Sequence, residues 1–307
     1  MSTSHYRPLF NPPVAAPPPA DGSPAAGPEL PILGDRSPQG RYVFSDEITL
    51  AVNVALATGR PLLVRGTSGS GKTSLARALA PLLGCGYHEA VVTGRTQARD
   101  LLWQTDLLRR LQDAQLNRLS ADWRDYTVPG PLWWAFDPAG AQAQQARLAA
   151  PTAAAQAAAP RRMVLLIDEI DKADPDVPNS LLRPLGDLAF EVEETGQSVA
   201  ASAPGPVVLI TTNEERDLPP AFLRRCVELN MPPFDRDRLL AVGRAHHADA
   251  DKDLLEAVAA LVMDSLARRD RRDPNPAEFL DVLRACRELA IVPGSPAFRQ
   301  LASVVLG

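Results

Sequence analysis

The sequence has few cysteines and no long apolar run, and each scarcity argues against a class of protein. Cys85, Cys226 and Cys286 are the three cysteines in 307 residues, and none forms a C-x-x-C pair. A disulfide framework or a zinc site built on cysteine pairs is therefore not expected. No segment approaches the roughly 18 apolar residues of a membrane span. Because the chain also opens without a charged and then apolar leader, we predict a cytoplasmic protein.

A surplus of positive charge is also absent. The chain has 32 Lys and Arg residues against 37 Asp and Glu residues, which gives a formal net charge of −5. Such a balance provides no general attraction to nucleic acid or to an anionic membrane surface. We therefore expect no membrane partner, and the charge argues against nucleic acid. Since 45% of the residues are hydrophobic, the chain can build a sizeable core.

Two segments lack the periodicity of helices and strands. Residues 1–40, with "NPPVAAPPPADGSPAAGP", are predicted to be a disordered tail rich in proline and alanine. Residues 139–160 are a low-complexity Ala/Gln segment. This second segment could be helical in part, but we predict that it is a mobile surface insertion.

The stretch "LLVRGTSGSGKTSLARALA" (62–80) contains a phosphate-binding pattern. Gly66, Gly71, Lys72 and Thr73 fit G-x-x-x-x-G-K-[ST], in which backbone N–H groups surround phosphates. Lys72 would reach the β- and γ-phosphates, and the Thr73 hydroxyl would bind Mg²⁺. The predicted nucleotide-binding residues of this loop are Gly66, Thr67, Ser68, Gly69, Ser70, Gly71, Lys72, Thr73 and Ser74.

Two further apolar runs end in polar residues. "MVLLIDEIDKAD" (163–174) predicts a buried parallel strand that ends at Asp168 and Glu169. Asp168 would hold Mg²⁺, and Glu169 would polarise a water for attack on the γ-phosphate. "VVLITTNEERDLPPAFLRRC" (207–226) predicts a second strand, followed by Asn213. We expect Asn213 to hydrogen-bond the attacking water or the γ-phosphate.

The order of predicted elements indicates an α/β fold. Strands alternate with helices over residues 41–233, which predicts a P-loop core with a parallel sheet flanked by helices. Residues 234–307 contain helical patterns alone and predict a small all-helical lid domain. Within the core, leucines at helical spacing predict one amphipathic helix over residues 96–119. Trp133 and Trp134 are open to two interpretations, core packing or a partner-facing anchor.

Together these motifs resemble the AAA+ ATPases, and specifically the MoxR-like branch, over residues 41–292. Thr67 and Ser68 depart from the loop that is common in that branch but leave the required glycines and Lys72 intact. The resemblance implies that Asn213 is the sensor 1 residue. It also implies an arginine finger that acts on a neighbouring subunit's nucleotide, with Arg225 preferred over Arg224. For sensor 2, Arg272 is preferred among Arg268, Arg269, Arg271 and Arg272.

The resemblance also implies cofactors and partners. These are ATP, Mg²⁺, a homo-oligomeric ring of six subunits and a protein partner that carries a von Willebrand A domain. The expected function is chaperone-like remodelling of that partner. The alternatives are a clamp-loader-like or DNA-remodelling ATPase, a P-loop phosphotransferase and a nucleotide-dependent scaffold. DNA-stimulated turnover, a required acceptor substrate and absent turnover would respectively distinguish them.

Overall fold

A computed structural model describes most of the chain. The described residues are 6–13, 42–148, 159–232, 235–247, 249–269 and 276–305. No helix within these ranges is long and apolar enough to cross a membrane. The predictions for residues 1–5, 14–40 and 149–158 and for Arg271 and Arg272 lie outside the described residues.

The contacts divide the chain into two compact units. The first contains the described residues within Met1–Phe10, Asp46–Arg65 and Leu79–Asn230. The second contains those within Asn11–Ser45, Gly66–Ala78 and Met231–Gly307.

The strands and helices alternate through the first two thirds of the chain. In chain order the strands are β1 (Leu62–Arg65), β2 (Gly86–Val91), β3 (Trp103–Thr105), β4 (Thr127–Pro129), β5 (Met163–Asp168), β6 (Ala189–Val192), β7 (Gln197–Ala200), β8 (Val207–Thr212) and β9 (Val227–Asn230). The α-helices are α1 (Asp46–Thr58), α2 (Lys72–Leu82), α3 (Ala98–Leu102), α4 (Leu107–Gln115), α5 (Pro131–Phe136), α6 (Pro138–Leu148), α7 (Asp176–Ser180), α8 (Leu182–Asp187), α9 (Pro220–Leu223), α10 (Arg236–His246), α11 (Lys252–Arg269), α12 (Pro276–Glu288) and α13 (Pro296–Val305).

A parallel sheet forms the centre of the first unit. Its strand order is β2-β5-β8-β1-β9, and every pair in it is parallel. The middle strands β5 and β8 are buried almost throughout, as expected for apolar strands with both faces covered. Helices flank this sheet, so the predicted P-loop α/β fold is confirmed.

The register brings the polar ends of three strands to one edge. Arg65 at the end of β1 is opposite Thr212 at the end of β8. Ile167 of β5 is opposite Ile210, so Asp168 and Thr211 follow at the next position. Because parallel strands share one carboxyl edge, the residues that follow these strands lie together there.

The single helix predicted over residues 96–119 is wrong. The chain instead forms α3, then β3, then α4, and returns through β4, which pairs antiparallel with β3. Leu107, Leu108 and Leu111 do lie in a helix, but α4 has no buried residue, so they do not form a core-facing side. The pattern failed because helical spacing of leucines does not reveal whether a core lies opposite them.

The Trp pair belongs mainly to the core. Trp133 is 0% exposed, and its ring meets Phe190 edge to face at 6.2 Å. Trp134 is half-buried and stacks on His88. Burial lowers the pKa of His88, because desolvation disfavours its charged form.

Two low-complexity regions are more ordered than their composition suggested. Helix α6 (Pro138–Leu148) covers the start of the Ala/Gln segment, and its buried Gln144 donates to the carbonyls of Arg124 and Thr127 at 2.6 Å each. In the proline-rich tail, Phe10 is buried, and Asn53 accepts from its N–H and donates to its carbonyl. Phe10 is held because its backbone bonds to Asn53 of α1. Helix α6 is held because the Gln144 amide bonds to carbonyls at the start of β4 and just before it.

The helices α10 to α13 form a separate apolar cluster in the second unit. Leu239, Val258, Val262, Phe279 and Leu283 are buried at its centre. Asp235 caps the first helix by accepting from the Arg238 N–H at 2.8 Å. Gly243 is required by packing, because a Cβ there would lie 2.7 Å from Leu255 and 2.9 Å from Phe279.

Candidate functional site

The loop after β1 needs its glycines. Gly66, Gly69 and Gly71 have φ values of 152°, 79° and 88°, a region that other residues rarely adopt. A Cβ on Gly66 would also lie 3.0 Å from both the Cβ of Met231 and the Oγ of Ser70. Side chains at these positions would therefore distort the loop.

Lys72 lies inside this loop rather than in solvent. It is only 6% exposed, and its Nζ donates to the carbonyls of Gly66 and Thr67 at 2.7 and 2.8 Å. The buried Oγ of Ser70 has no hydrogen-bond partner within the described part of the chain. A buried cation and an unsatisfied hydroxyl at the start of the eleven-residue helix α2 suit an anionic group. The loop therefore fits the phosphates of a nucleotide.

Thr211 organises the acidic end of β5. Its Oγ1 donates to Asp168 Oδ1 at 2.5 Å and accepts from the Glu169 N–H at 2.9 Å. Since Thr211 is fully buried, both bonds are shielded from water. The sequence placed Thr211 at a strand end but did not predict this role. The threonine one residue before the end of a buried strand was the available signal.

Glu169 is held by two neighbours. Its Oε1 accepts from Asn213 Nδ2 at 3.0 Å, and its Oε2 accepts from Lys172 Nζ at 2.7 Å. The structure thus brings together Glu169 and Asn213, which the sequence had assigned to one reaction. The Glu169 hydrogen bond raises the pKa of Lys172. Sequence analysis missed Lys172, which lies three residues after Glu169 at the end of a short 3₁₀ turn.

The backbone of Glu169 is unusual. Its φ and ψ of 60° and 49° are left-handed, a conformation that costs a non-glycine residue energy and often marks a functional position. The loops on either side are tied together, because the buried Asp171 accepts from the Glu215 N–H at 2.9 Å. This contact fixes the loop that carries Asn213 beside the turn that carries Glu169.

The two candidate finger arginines follow α9. Arg224 and Arg225 are both exposed, and neither guanidinium has a hydrogen bond or salt bridge to the described residues. Cys226 after them is buried, and burial raises the pKa of its thiol to about 12 although Arg60 opposes this shift. The segment therefore has a buried anchor and two exposed cations.

The predicted residues are divided between the two units. The loop residues 66–74 belong to the second unit, whereas Asp168, Glu169, Asn213 and the arginine pair belong to the first. Arg272 lies outside the described residues, as do the side chains of Arg268 and Arg269 at the end of α11.

Mg²⁺ is the metal that the sequence predicts for this chain. In the described ranges no group of three or more His, Cys, Asp or Glu side chains could hold a metal. Mg²⁺ is usually bound by one or two carboxylates together with substrate phosphates and water. The two predicted ligands, the Asp168 carboxylate and the Thr73 hydroxyl, belong to different units, so their shared role is part of the proposed function.

Comparison with known proteins assigns a family. A family model described as "AAA domain (dynein-related subfamily)" matches residues 61–226, which is more than half of the chain. The match begins just before β1 and ends at Cys226, so it includes both the glycine loop and the arginine pair. A search of curated proteins found no match to this sequence.

Solved structures of RuvB from Thermotoga maritima are similar to the chain at low identity. A serine-for-alanine mutant has 16% identity and a TM-score of 0.47, with 84% of this chain and 67% of that chain covered. A structure titled as the Holliday junction branch migration motor has 16% identity and a TM-score of 0.45, with 83% and 66% covered. The chain thus spans about two thirds of the length of these structures. Likeness at this level says nothing about the substrate of this chain.

Proposed function

Because the chain belongs to the dynein-related subfamily of AAA domains and is an ATP-hydrolysing enzyme, we propose that it works as a MoxR-like ring ATPase. In this proposal six copies assemble, and each ATP lies between two subunits. The energy of hydrolysis remodels or activates a partner protein. The observation that supports the reaction best is the carboxylate of Glu169 held between Asn213 and Lys172.

The glycine loop would bind the substrate phosphates. Its backbone N–H groups and the start of α2 provide the anion site, and Lys72 supplies the counter-charge next to the β- and γ-phosphates. Thr73 and Asp168 would hold Mg²⁺, which neutralises charge on the phosphate oxygens when bound. The remaining loop residues, Thr67, Ser68 and Ser74, would contribute backbone and hydroxyl contacts.

Glu169 would act on the attacking water. Its carboxylate accepts the water's hydrogen bond and draws the proton away as the oxygen approaches the γ-phosphate. Asn213 holds the carboxylate on one side, and Thr211 holds Asp168 and the Glu169 backbone on the other. These contacts keep the acid in one position and lower the reorganisation needed during the reaction.

Arg225, with Arg224 as the second choice, would act on a neighbouring subunit. An exposed guanidinium with no partner among the described residues can neutralise charge on a transferred phosphoryl group. Sensor 2 remains assigned to Arg272. The division into residues 41–233 and a lid of residues 234–307 is part of the same proposal.

The proposed partner is a protein, in keeping with a von Willebrand A domain. The net charge of −5 does not favour DNA, and the surface of α4 exposes Leu107, Leu108 and Leu111 by 64%, 67% and 57%. Exposed leucines of this kind are typical of surfaces that contact other proteins. A cytoplasmic location is also proposed, since Cys85, Cys226 and Cys286 are unpaired.

Mixed variants test the shared site. Lys72→Ala should not bind ATP, because the loop loses its counter-charge. Arg225→Ala should bind ATP normally and lose turnover by about 10³- to 10⁵-fold, the range known for arginine fingers. Mixing the two inactive variants should restore part of the activity, measured as phosphate release.

The controls separate the alternatives. Restoration requires that an intact loop in one subunit meets an intact finger in another, so the absence of any recovery would contradict a trans site. Turnover that rises on addition of DNA and loses this response at high salt would instead support a DNA-remodelling ATPase.

A further inference from the structure

Arg60 lies beside the arginine pair and contacts its backbone. One Nη2 atom donates to the carbonyls of Arg224 and Cys226, each at 2.6 Å. Its Nε donates to the carbonyl of Arg225 at 3.2 Å. A single guanidinium therefore binds three consecutive carbonyl groups of the segment that carries the candidate fingers.

These carbonyls need an external donor. The helix α9 ends at Leu223, and the N–H groups of the next three residues bond back to Pro220, Phe222 and Leu223. The carbonyls of residues 224–226 lie beyond this helical turn, and the Arg60 guanidinium donates to each of them. The Arg60 guanidinium satisfies all three at once, because its N–H groups form a planar fork.

The chain around Arg60 is fixed against the same segment. Pro61, its neighbour, accepts from the Val227 N–H at 2.8 Å, and Leu62 then pairs with Val227 in the β1–β9 ladder. The Arg60 side chain thus starts from a rigid strand junction and reaches the finger segment from a defined direction.

The finger side chains lack a comparable support. Both are exposed, and Arg225 passes close to α8, where its Nε lies 3.7 Å from the place of a Cβ on Gly186. Their direction is consequently set by the backbone of residues 224–226. A change of φ or ψ there would therefore displace the guanidinium groups.

We propose that Arg60 is a positioning residue for the Arg224–Arg225 pair, which it holds in the orientation needed to reach the neighbouring subunit's nucleotide. This inference rests on the proposed function, because it assigns Arg60 to the finger side of the shared site. Arg60 does not touch the nucleotide in this arrangement. Its effect on hydrolysis passes through the three carbonyl groups.

Substitution at Arg60 should lower turnover without weakening ATP binding. Arg60→Ala should reduce kcat by about 10²-fold, the loss expected when a catalytic group is displaced by about an ångström. The KM for ATP should stay unchanged. Arg60→Lys should also be impaired, since one ammonium cannot reproduce the planar fork. Arg118→Ala, which removes an exposed arginine after α4, is the matched control and should keep full activity.

Mixtures of inactive variants test on which side of the subunit interface Arg60 acts. Arg60→Ala subunits retain an intact glycine loop, so they should regain activity when mixed with Lys72→Ala subunits that supply an intact finger. Mixing Arg60→Ala with Arg225→Ala should restore nothing, because both lack a working finger. A purely structural defect would not show this difference between the two mixtures.

Several results would overturn the inference. They are an unchanged kcat in Arg60→Ala and Arg60→Lys, a raised KM for ATP, or recovery with Arg225→Ala instead of Lys72→Ala. If Arg60→Ala does not fold, as judged by thermal unfolding, the same mixtures are made with Arg60→Lys. Normal turnover in both Arg225→Ala and Arg224→Ala would refute the trans finger of the proposed function itself. Loss of turnover in Arg225→Ala with normal turnover in both Arg60 variants would refute only the role of Arg60.

Discussion

The carboxyl edge of the sheet and the helix α4 use apolar and polar residues in opposite ways. At the sheet edge, the leucines and isoleucines of β5 are buried, and polar groups appear only where the strands end. In α4 the leucines face solvent. Polar contacts hold this helix instead, since Asp106 caps it through the Arg109 N–H and Arg110 lies 3.8 Å over the ring of Trp123.

The two regions are therefore suited to different roles. At the sheet edge, Asp168, Glu169 and Asn213 are held by hydrogen bonds from a buried frame, so they stay in place for chemistry. The helix α4 itself contributes no buried residue to the core, whereas Trp103 of the neighbouring strand β3 is buried in it. Glu194, in the hairpin of β6 and β7, binds that strand through its carboxylate. That carboxylate accepts from Trp103 Nε1 at 2.8 Å and also binds Arg99. The exposed leucines of α4 are available for contact with another molecule.

Between the two regions, the larger effect is expected at the sheet edge. Glu169→Gln keeps the size of the side chain but removes the carboxylate that would accept the water's proton. Turnover should fall by about 10²- to 10⁴-fold, the usual contribution of a general base. ATP binding, measured with a fluorescent nucleotide, should persist. Unchanged hydrolysis would remove Glu169 from the mechanism. The ordered acids of the sheet edge would then have no demonstrated role in the reaction.

A smaller effect is expected at Thr211. Thr211→Val leaves Asp168 and the Glu169 N–H without their shared buried partner, which should cost about 1–3 kcal/mol of unfolding free energy. Chemical denaturation measures this loss, and turnover should fall with it. Thr211→Ser keeps the hydroxyl and is the control. Equal stability of the valine and serine variants would show that the hydroxyl does not hold the edge together.

The smallest effect on stability is expected in α4. Leu108 is 67% exposed, so Leu108→Ala should change the unfolding free energy by less than about 0.5 kcal/mol, as is usual for surface positions. The matched change in β5, Leu166→Ala, should cost about 2–5 kcal/mol because it leaves a cavity in the core. A large loss of stability in Leu108→Ala would mean that α4 is packed in solution and would remove the contrast between the regions.

The candidate site could be proposed from the sequence because its motifs are local. The glycine loop requires fixed spacing along one segment, and the acids directly follow an apolar strand, so both features are visible without the fold. Asn213 was predicted to work with Glu169 because both follow buried parallel strands. By contrast, Lys172, Thr211 and Arg60 have no pattern of their own, and their roles depend on partners far away in the chain or on the conformation of a turn.

The sequence by itself determined the α/β alternation, the P-loop and the acid-bearing strand, since backbone preference and hydrophobic periodicity act over a few neighbouring residues. Only the tertiary structure decided that the leucines of α4 face solvent and that Trp133 does not. It also decided that Phe10 and α6 pack against the protein despite their low-complexity surroundings. Whether a side chain is buried depends on which residues pack against it, and those residues come from distant parts of the chain.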